Sequence, residues 1–469
     1  MTTRSGAQPT SAQLDRLRRG FTGEIVMPGS AGYDDARRLW NAIHDRRPAV
    51  ILRPANPDDV ATAVRFGRDR DLEIAVRSGG HSALGIGGGD GGLVVDMSEM
   101  RGVVVDAASR TARANGGALL GELDAAAQAH GLVCPTGVVG HTGVAGLTLG
   151  GGVGRLQRHF GLTIDNLSAV ELVTSDGRLV RASETEEPEL FWGLRGAGWN
   201  FGVATAFEFR LHPFGPDLHR GLLVFPASQM HDVWELFREY SASASDAVSM
   251  GFGMDRAGAD EGYPDELVGQ PIVYVAFNHS GAADAVERDT ARLLAGPRPV
   301  TSTRGTQRYL EVQTAHDLLF QWGNRSTIMS CNGDDVAPEV LDEVVEAVAT
   351  APHGATFSIT ALGGAIGRAG EDAMAYAGRA ARFDLSADST WTDPALDEVN
   401  RAWARRVLAM VEPATPLGRY PNGHAEAGPD ETRAIYGVAK LARLAALKQA
   451  WDPDNVFHVN HNVAPVAAR

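Results

Sequence analysis

Lysine is almost missing from this chain of 469 residues: Lys440 and Lys448 are the only two, although lysine and arginine together number 43. No G-K-[ST] phosphate loop can therefore be written, which excludes nucleotide hydrolysis by that route, and few positions could carry a Schiff base. Cysteine is as scarce. Cys134 and Cys331 stand alone, too few for a disulfide framework or a cysteine-ligated zinc or iron-sulfur site. Nowhere do about 18 apolar residues run uninterrupted, so no membrane span is expected. The N-terminal MTTRSGAQPTSAQLDRLRRGF lacks the apolar core of a secretory signal, which makes the cytoplasm the expected location. Positive charge is outweighed by 58 Asp and Glu residues, and a formal net charge of -15 argues against nucleic acid or an anionic membrane as partner.

A chain of this length should split into more than one folding unit. Up to about residue 215, short β-branched runs (PAVILRP, LEIAVRS, GLVVDMS, GVVVDAA) alternate with alanine-rich helical stretches, which is α+β texture. NPDDVATAVRFGRDR carries its own start signal: Asn56 as N-cap, Pro57 at the first helical position and two aspartates in the first turn. ALLGELDAAAQAHG predicts a second helix ending at Gly131. Between 216 and 415 the runs lengthen and alternate (HRGLLVFPA, SMGFGMD, PIVYVAFNHS, ATFSITALGGA), interspersed with helices such as PEVLDEVVEAVATA. This predicts an antiparallel sheet backed by helices. From 416 to 469 an amphipathic helix, DETRAIYGVAKLARLAALKQAW, stops at Asp452-Pro453 and leads into an extended tail, NVFHVNHNVAP.

What the chain has in abundance is glycine, 55 residues, gathered into RSGGHSALGIGGGDGG (77–92), CPTGVVGHTGVAGLTLGGGVGRL (134–156) and GLRGAGWNFGV (193–203). Glycine lets a backbone approach an anionic ligand closely and aim successive N–H groups at phosphate, so a dinucleotide site fits; surface loops are the bland alternative. Gly87, Gly89 and Gly92 satisfy G-x-G-x-x-G, but the LVVDMS that follows is strand-like, whereas the Rossmann fingerprint must open a helix. That match is compositional.

RSGGHS, VGHTGVAGLTLGGGVG, LTIDNL, ELFWGLRG and NFGV, in this order and spacing, resemble the FAD-linked oxidases of the berberine bridge enzyme-like group, within the vanillyl-alcohol oxidase superfamily. The resemblance spans about residues 35 to 212 and resumes with Tyr-Pro-Asn at 420–422, LARLAALKQAWDP and NVFHVNHN at 455–462. It implies a two-part PCMH-type FAD-binding domain (1–215 plus the return 416–469) and a substrate domain (216–415). It also implies that His81 is the residue joined to the flavin 8α carbon. A neutral imidazole can add to an electrophilic flavin, and the attachment would raise the flavin potential.

Some members of the group carry a second link from a cysteine to flavin C6. Cys134 is either that link or a small apolar residue beside the ring, while Cys331 has no motif around it. By the same resemblance Arg77, Ser78, Gly79, Gly80 and Ser82 line the pyrophosphate. Gly140, His141, Thr142, Gly146, Gly150, Gly151 and Gly154 run beneath the ribityl chain and ring, Asn200, Gly202 and Val203 form the adenine-side strand entry, and Asn422, Asn460 and Asn462 close over the flavin. Turn capping is the plain alternative for each asparagine.

The implied chemistry is hydride transfer from a small organic alcohol or amine to flavin N5, with a base taking a neighbouring proton and O₂ reoxidising the flavin to give hydrogen peroxide. The base is not evident. Where relatives place Glu or His before L-G-G-A, this chain has Ser358, and a hydroxyl is a poor base at neutral pH. The remaining candidates are Tyr376 and Arg379 in AYAGRAARF, and Tyr420, whose phenolate a nearby arginine such as Arg379 would favour. A flavin dehydrogenase with another electron acceptor, or a flavin-binding protein without catalysis, are the alternatives.

Overall fold

The computed structural model describes residues 8–259, 262–352, 354–413 and 417–466; the expected boundary at 415/416 falls outside them. Asn56 caps its helix as its sequence predicts, with Oδ1 accepting the Asp59 backbone N–H at 3.0 Å and Pro57 opening the helix Pro57–Arg68. That helix buries Val60, Ala61 and Val64, and it is the crossover between parallel strands. The first sheet contains β1 (Glu24–Val26), β2 (Val50–Arg53), β3 (Ile74–Arg77) and β4 (Leu93–Asp96) in the order β1-β2-β4-β3. Only β1 runs antiparallel to its neighbour. Leu93, Val94 and Val95 are all buried, the unbroken apolar run expected of a strand covered on both faces.

The second part of this region is antiparallel. It takes β5 (Val103–Asp106), β6 (Thr111–Asn115), β8 (Leu167–Val173), β9 (Leu179–Ser183) and β10 (Val203–Arg210) in the order β5-β6-β10-β8-β9, while β7 (Leu132–Val133) and β11 (His212–Pro213) form a separate ribbon.

The chain then builds one seven-stranded antiparallel sheet from β12 (Asp217–Pro226), β13 (Val248–Arg256), β14 (Pro271–His279), β15 (Thr301–Arg308), β16 (Arg325–Gly333), β17 (Ala355–Ala361) and β18 (Phe383–Trp391). Their order is β15-β12-β14-β13-β17-β18-β16. Side chains alternate across it with period two. Phe252, Phe357, Ile359, Phe383 and Leu385 point to one face, where the helices Met230–Ser243, Pro338–Ala349 and Asp397–Val411 cover them with Trp234, Phe237, Leu341 and Trp403. Burying each of these large side chains is worth about 1.5–3 kcal/mol. The opposite face carries Thr356, Ser358 and Thr360 on β17 and Asp384, Ser386 and Asp388 on β18, in register. The α+β expectation, with an antiparallel sheet backed by helices, holds.

The two lysines clamp the C-terminal return. Lys448, on the helix Pro429–Trp451, is fully buried: its Nζ meets Asp452 Oδ2 at 2.6 Å and donates to the carbonyls of Asn200 (2.7 Å) and Phe457 (2.9 Å). Lys440 does the same with Glu371 (2.8 Å) and the Tyr376 carbonyl (2.5 Å). A buried ammonium needs such partners, and they tie the return to the first region through Asn200 and to the middle region through Glu371 and Tyr376. No helix among the described residues is long and apolar enough to cross a membrane.

Candidate functional site

A cavity of about 590 Å³ opens between the first region, the polar face of the seven-stranded sheet and the C-terminal return. Its wall begins where two glycine segments touch. A Cβ on Gly79 would sit 2.2 Å from the Gly143 nitrogen, so the RSGGHS loop and the 140–146 segment can lie backbone against backbone only without side chains there. On Gly146 a Cβ would meet nothing within 4 Å, because that residue faces the open cavity.

Ser78, Gly79, Gly80, His81, Ser82, Thr142, Gly146, Gly154, Gly202, Tyr420, Asn422 and Asn460 line this one space, although they come from both ends of the chain. Arg77 also borders it, but its guanidinium is committed to Asp96 (2.6 Å) and to the carbonyls of Ala36 and Arg38, so it holds β3 to β4 instead of facing a phosphate.

Several expected contacts are corrected. Cys134 is fully buried in the core beneath the helix Leu120–Gln128 and does not line the cavity; burial pushes its thiol well above the ordinary range. A sulfur meant for the ring would have to stand on the wall, and there the chain presents Gly137, Val138 and Val139. Gly140 lies behind the wall, its N–H donated to Asp317 Oδ1 at 2.6 Å. Gly150 and Gly151 are also set back, close against Asn422 with Trp199 and against Tyr376 with Tyr420 respectively. Asn200 is a clasp: its Oδ1 accepts the Val463 N–H at 2.9 Å. Val203 is core, and Asn462 does not reach the cavity wall.

Two of the three candidate catalytic side chains stand behind the cavity wall. Arg379 is 2% exposed and grips Asp165 through both nitrogens (2.6 and 3.1 Å). Tyr376 packs behind Gly151 with Leu162, Ile366 and Met374, and burial raises its phenol far above the ordinary value. Neither lines the cavity. Tyr420 does, and its oxygen accepts N–H bonds from Val153 (3.1 Å) and Asn422 Nδ2 (2.9 Å). With both acceptor positions filled, its own O–H is left to donate inward. Burial raises this phenol too, and no arginine offsets it.

His81 stacks on Trp40 (centroids 4.7 Å apart), and its Nε2 lies 2.5 Å from Nδ1 of His141. Burial, with His141 beside it, pulls its pKa down to about 3, so the ring is neutral at working pH. Its Nδ1 forms no hydrogen bond with any described residue.

The carboxylates that the sequence reading lacked stand on β18. Asp384 lies opposite Thr360, and Ser386 opposite Ser358. Burial, reinforced by Asp388, pushes Asp384 up to about 7, and one of its oxygens has no partner. Asp388 accepts from Ser386 Oγ at 2.6 Å and is raised by burial to about 6. A sequence signal existed in FDLSADSTW, whose polar parity carries both aspartates, but the same pattern describes any half-solvated strand. Beside this floor, Arg155, Arg220 and His316 border the same cavity.

Residues 48–183 match the family described as FAD binding domain, and residues 420–464 the family described as Berberine and berberine like. (R)-6-hydroxynicotine oxidase of Paenarthrobacter nicotinovorans is 31% identical over 461 residues, covering 94% of this chain and 97% of that protein. Among solved structures, 6-hydroxy-D-nicotine oxidase from Arthrobacter nicotinovorans superposes with a TM-score of 0.84 at 28% identity, over 94% of this chain and 98% of that one. BBE-like 1 of Physcomitrella patens reaches 0.86 at 24% identity, over 97% of this chain and 100% of that one, a likeness of fold. The chain thus belongs to the berberine bridge enzyme-like family of FAD-linked oxidoreductases.

Proposed function

We propose that this enzyme oxidises a small organic amine or alcohol, with FAD attached through His81 and with Asp384 as the proton acceptor. The observation that carries the reading is that His81, Tyr420 and Asp384, from three distant parts of the chain, border one cavity. The cavity suits FAD: the backbone cradle at Gly79 and Gly143 admits no Cβ, and Gly146 leaves open room beside it. Ser78, Gly79 and Gly80 would hold the pyrophosphate, and Gly146 and Asn422 would border the ring. When bound, FAD supplies a hydride acceptor at N5, and reoxidation by O₂ would release hydrogen peroxide.

The residues divide the remaining work. Nδ1 of neutral His81 is the nitrogen that would hold the flavin, with His141 Nδ1 placed to accept the Nε2 proton. Asp384, held near pH 7, is matched to accept a proton from a substrate O–H or N–H at neutral pH. Tyr420 donates its O–H to the same substrate atom or its neighbour. Cys134, packed in the core, supports a single link.

The test is to denature and digest the purified protein, identify the peptide that carries flavin, and assay amines and alcohols for peroxide in air. Flavin on the His81 peptide with peroxide release supports the full reading. Absence of covalent flavin overturns the attachment, and slow reoxidation in air assigns a different electron acceptor.

A further inference from the structure

The cavity is electrically two-ended. Asp384 and Asp388 stand at one side of the sheet; at the other, Arg220 projects from β12, beside Arg155 and His316. Between β12 and β18 lie three strands, so four steps of about 4.8 Å put the two ends roughly 19 Å apart along the floor. Between the ends the floor carries no charged side chain among the described residues: Asn278 and Ser249 stand next to the arginine end, and Ser358 and Thr360 next to the aspartates. Ala276 and Gly251 are paired in the middle, and a Cβ on Gly251 would meet only one backbone oxygen, at 3.6 Å.

At the positive end neither guanidinium is paired with a carboxylate among the described residues. Arg155 is 7% exposed, and its Nη1 donates to Gln313 Oε1 at 2.8 Å, but its buried Nη2 has no partner. Arg220 Nη1 donates to the neutral Gln307 Oε1 at 2.9 Å. Neither arginine forms a salt bridge with a described residue. Two carboxylates lie near Arg155, and both are engaged elsewhere: Asp124 with Thr136 (2.9 Å) and Gln313 (3.1 Å), Asp317 with the Gly140 N–H. His316 Nδ1 is buried without a partner as well. Burial, with the two arginine charges beside it, holds that imidazole down to about 4, so it meets a ligand as a neutral ring. A buried guanidinium nitrogen without a partner and a second, half-buried guanidinium with no carboxylate on it are together placed to receive an anion.

We propose that Arg155, Arg220 and His316 form an anion subsite that receives a carboxylate carried by the substrate. The substrate is then an amine or alcohol that is also an acid, an elongated molecule with its acid group at the arginine end and its oxidisable carbon towards Asp384. The inference rests on the oxidation reading above for the word substrate, but the subsite itself can be read without turnover.

The experiment is calorimetric titration of the holoenzyme with benzoate and with benzamide, which share shape and differ in charge. The expected result is benzoate binding at least about tenfold tighter than benzamide, as two charge-assisted contacts allow. Arg220→Gln should abolish that preference and Arg220→Lys should keep part of it; Arg220 is only half-buried, so these variants keep the test open if the buried Arg155→Gln does not fold. Equal binding of the two probes by the wild type, or a preference unchanged in Arg220→Gln, overturns the subsite. Loss of oxidation with the benzoate preference intact would sink the oxidation reading alone, and oxidation without any preference would sink the subsite alone.

Discussion

Nε2 of His81 lies 2.5 Å from Nδ1 of His141, and that single contact sets which nitrogen of His81 is free. The tautomer that donates from Nε2 leaves the lone pair on Nδ1. His81→Ala should abolish covalent flavin while FAD still binds reversibly, and His141→Ala should slow attachment, because the departing proton loses its acceptor. Acid precipitation followed by absorbance of the pellet measures both. Full covalent loading in His141→Ala would reject its role. Because His81 is neutral down to about pH 3, attachment should not vary with its protonation between pH 5 and 9.

Asp384→Asn should lower kcat by about 10²–10⁴, the usual range for a lost general base. With Asp384 near 7, wild-type kcat/KM should rise with pH through that value as the carboxylate ionises, and the variant should lose this limb.

Stability should move the other way. A folded pKa raised from about 4 in the unfolded chain means that the stability present at low pH is lost as pH rises through about 7. Asp384→Asn should therefore melt higher than wild type above pH 7, with the two Tm values converging below about pH 4. A variant that melts lower at pH 8 would contradict the burial of this carboxylate.

Tyr420→Phe removes the acceptor of the Val153 and Asn422 N–H groups and should cost about 1–3 kcal/mol of stability as well as turnover. Tyr376→Phe, behind the wall, should leave kcat unchanged. Steady-state kinetics on the pair separates a side chain that reaches the cavity from one that only supports it.

Arg379→Leu should destabilise the fold by about 3–5 kcal/mol, since it strands Asp165 without its guanidinium. Thermal melts should show this loss, while the fraction that remains folded should turn over at the wild-type rate. A selective loss of kcat would restore Arg379 to the chemistry.

Cys134→Ala should keep the flavin on the His81 peptide and leave its visible spectrum unchanged. A shifted spectrum or a lost bridging peptide would show that the sulfur reaches the ring despite its burial.

The sequence by itself determined whatever is written in consecutive residues. Asn56-Pro57 starts a helix, the glycines of RSGGHS and of 140–146 permit a close backbone approach, and the alternation in ATFSITA makes a two-faced strand, because these conformations are set by neighbours a few bonds away. Only the tertiary structure decided which of those residues face the cavity. Arg379 resembles a catalytic arginine until Asp165, 214 positions earlier, is found on its guanidinium. Cys134 stands in the right segment, yet Val139 holds the wall. Asp384 gains its meaning from lying beside β17 on the cavity floor, half-buried beside Asp388. Register across a sheet and distance from water are long-range properties of the packed chain, and no local pattern encodes them.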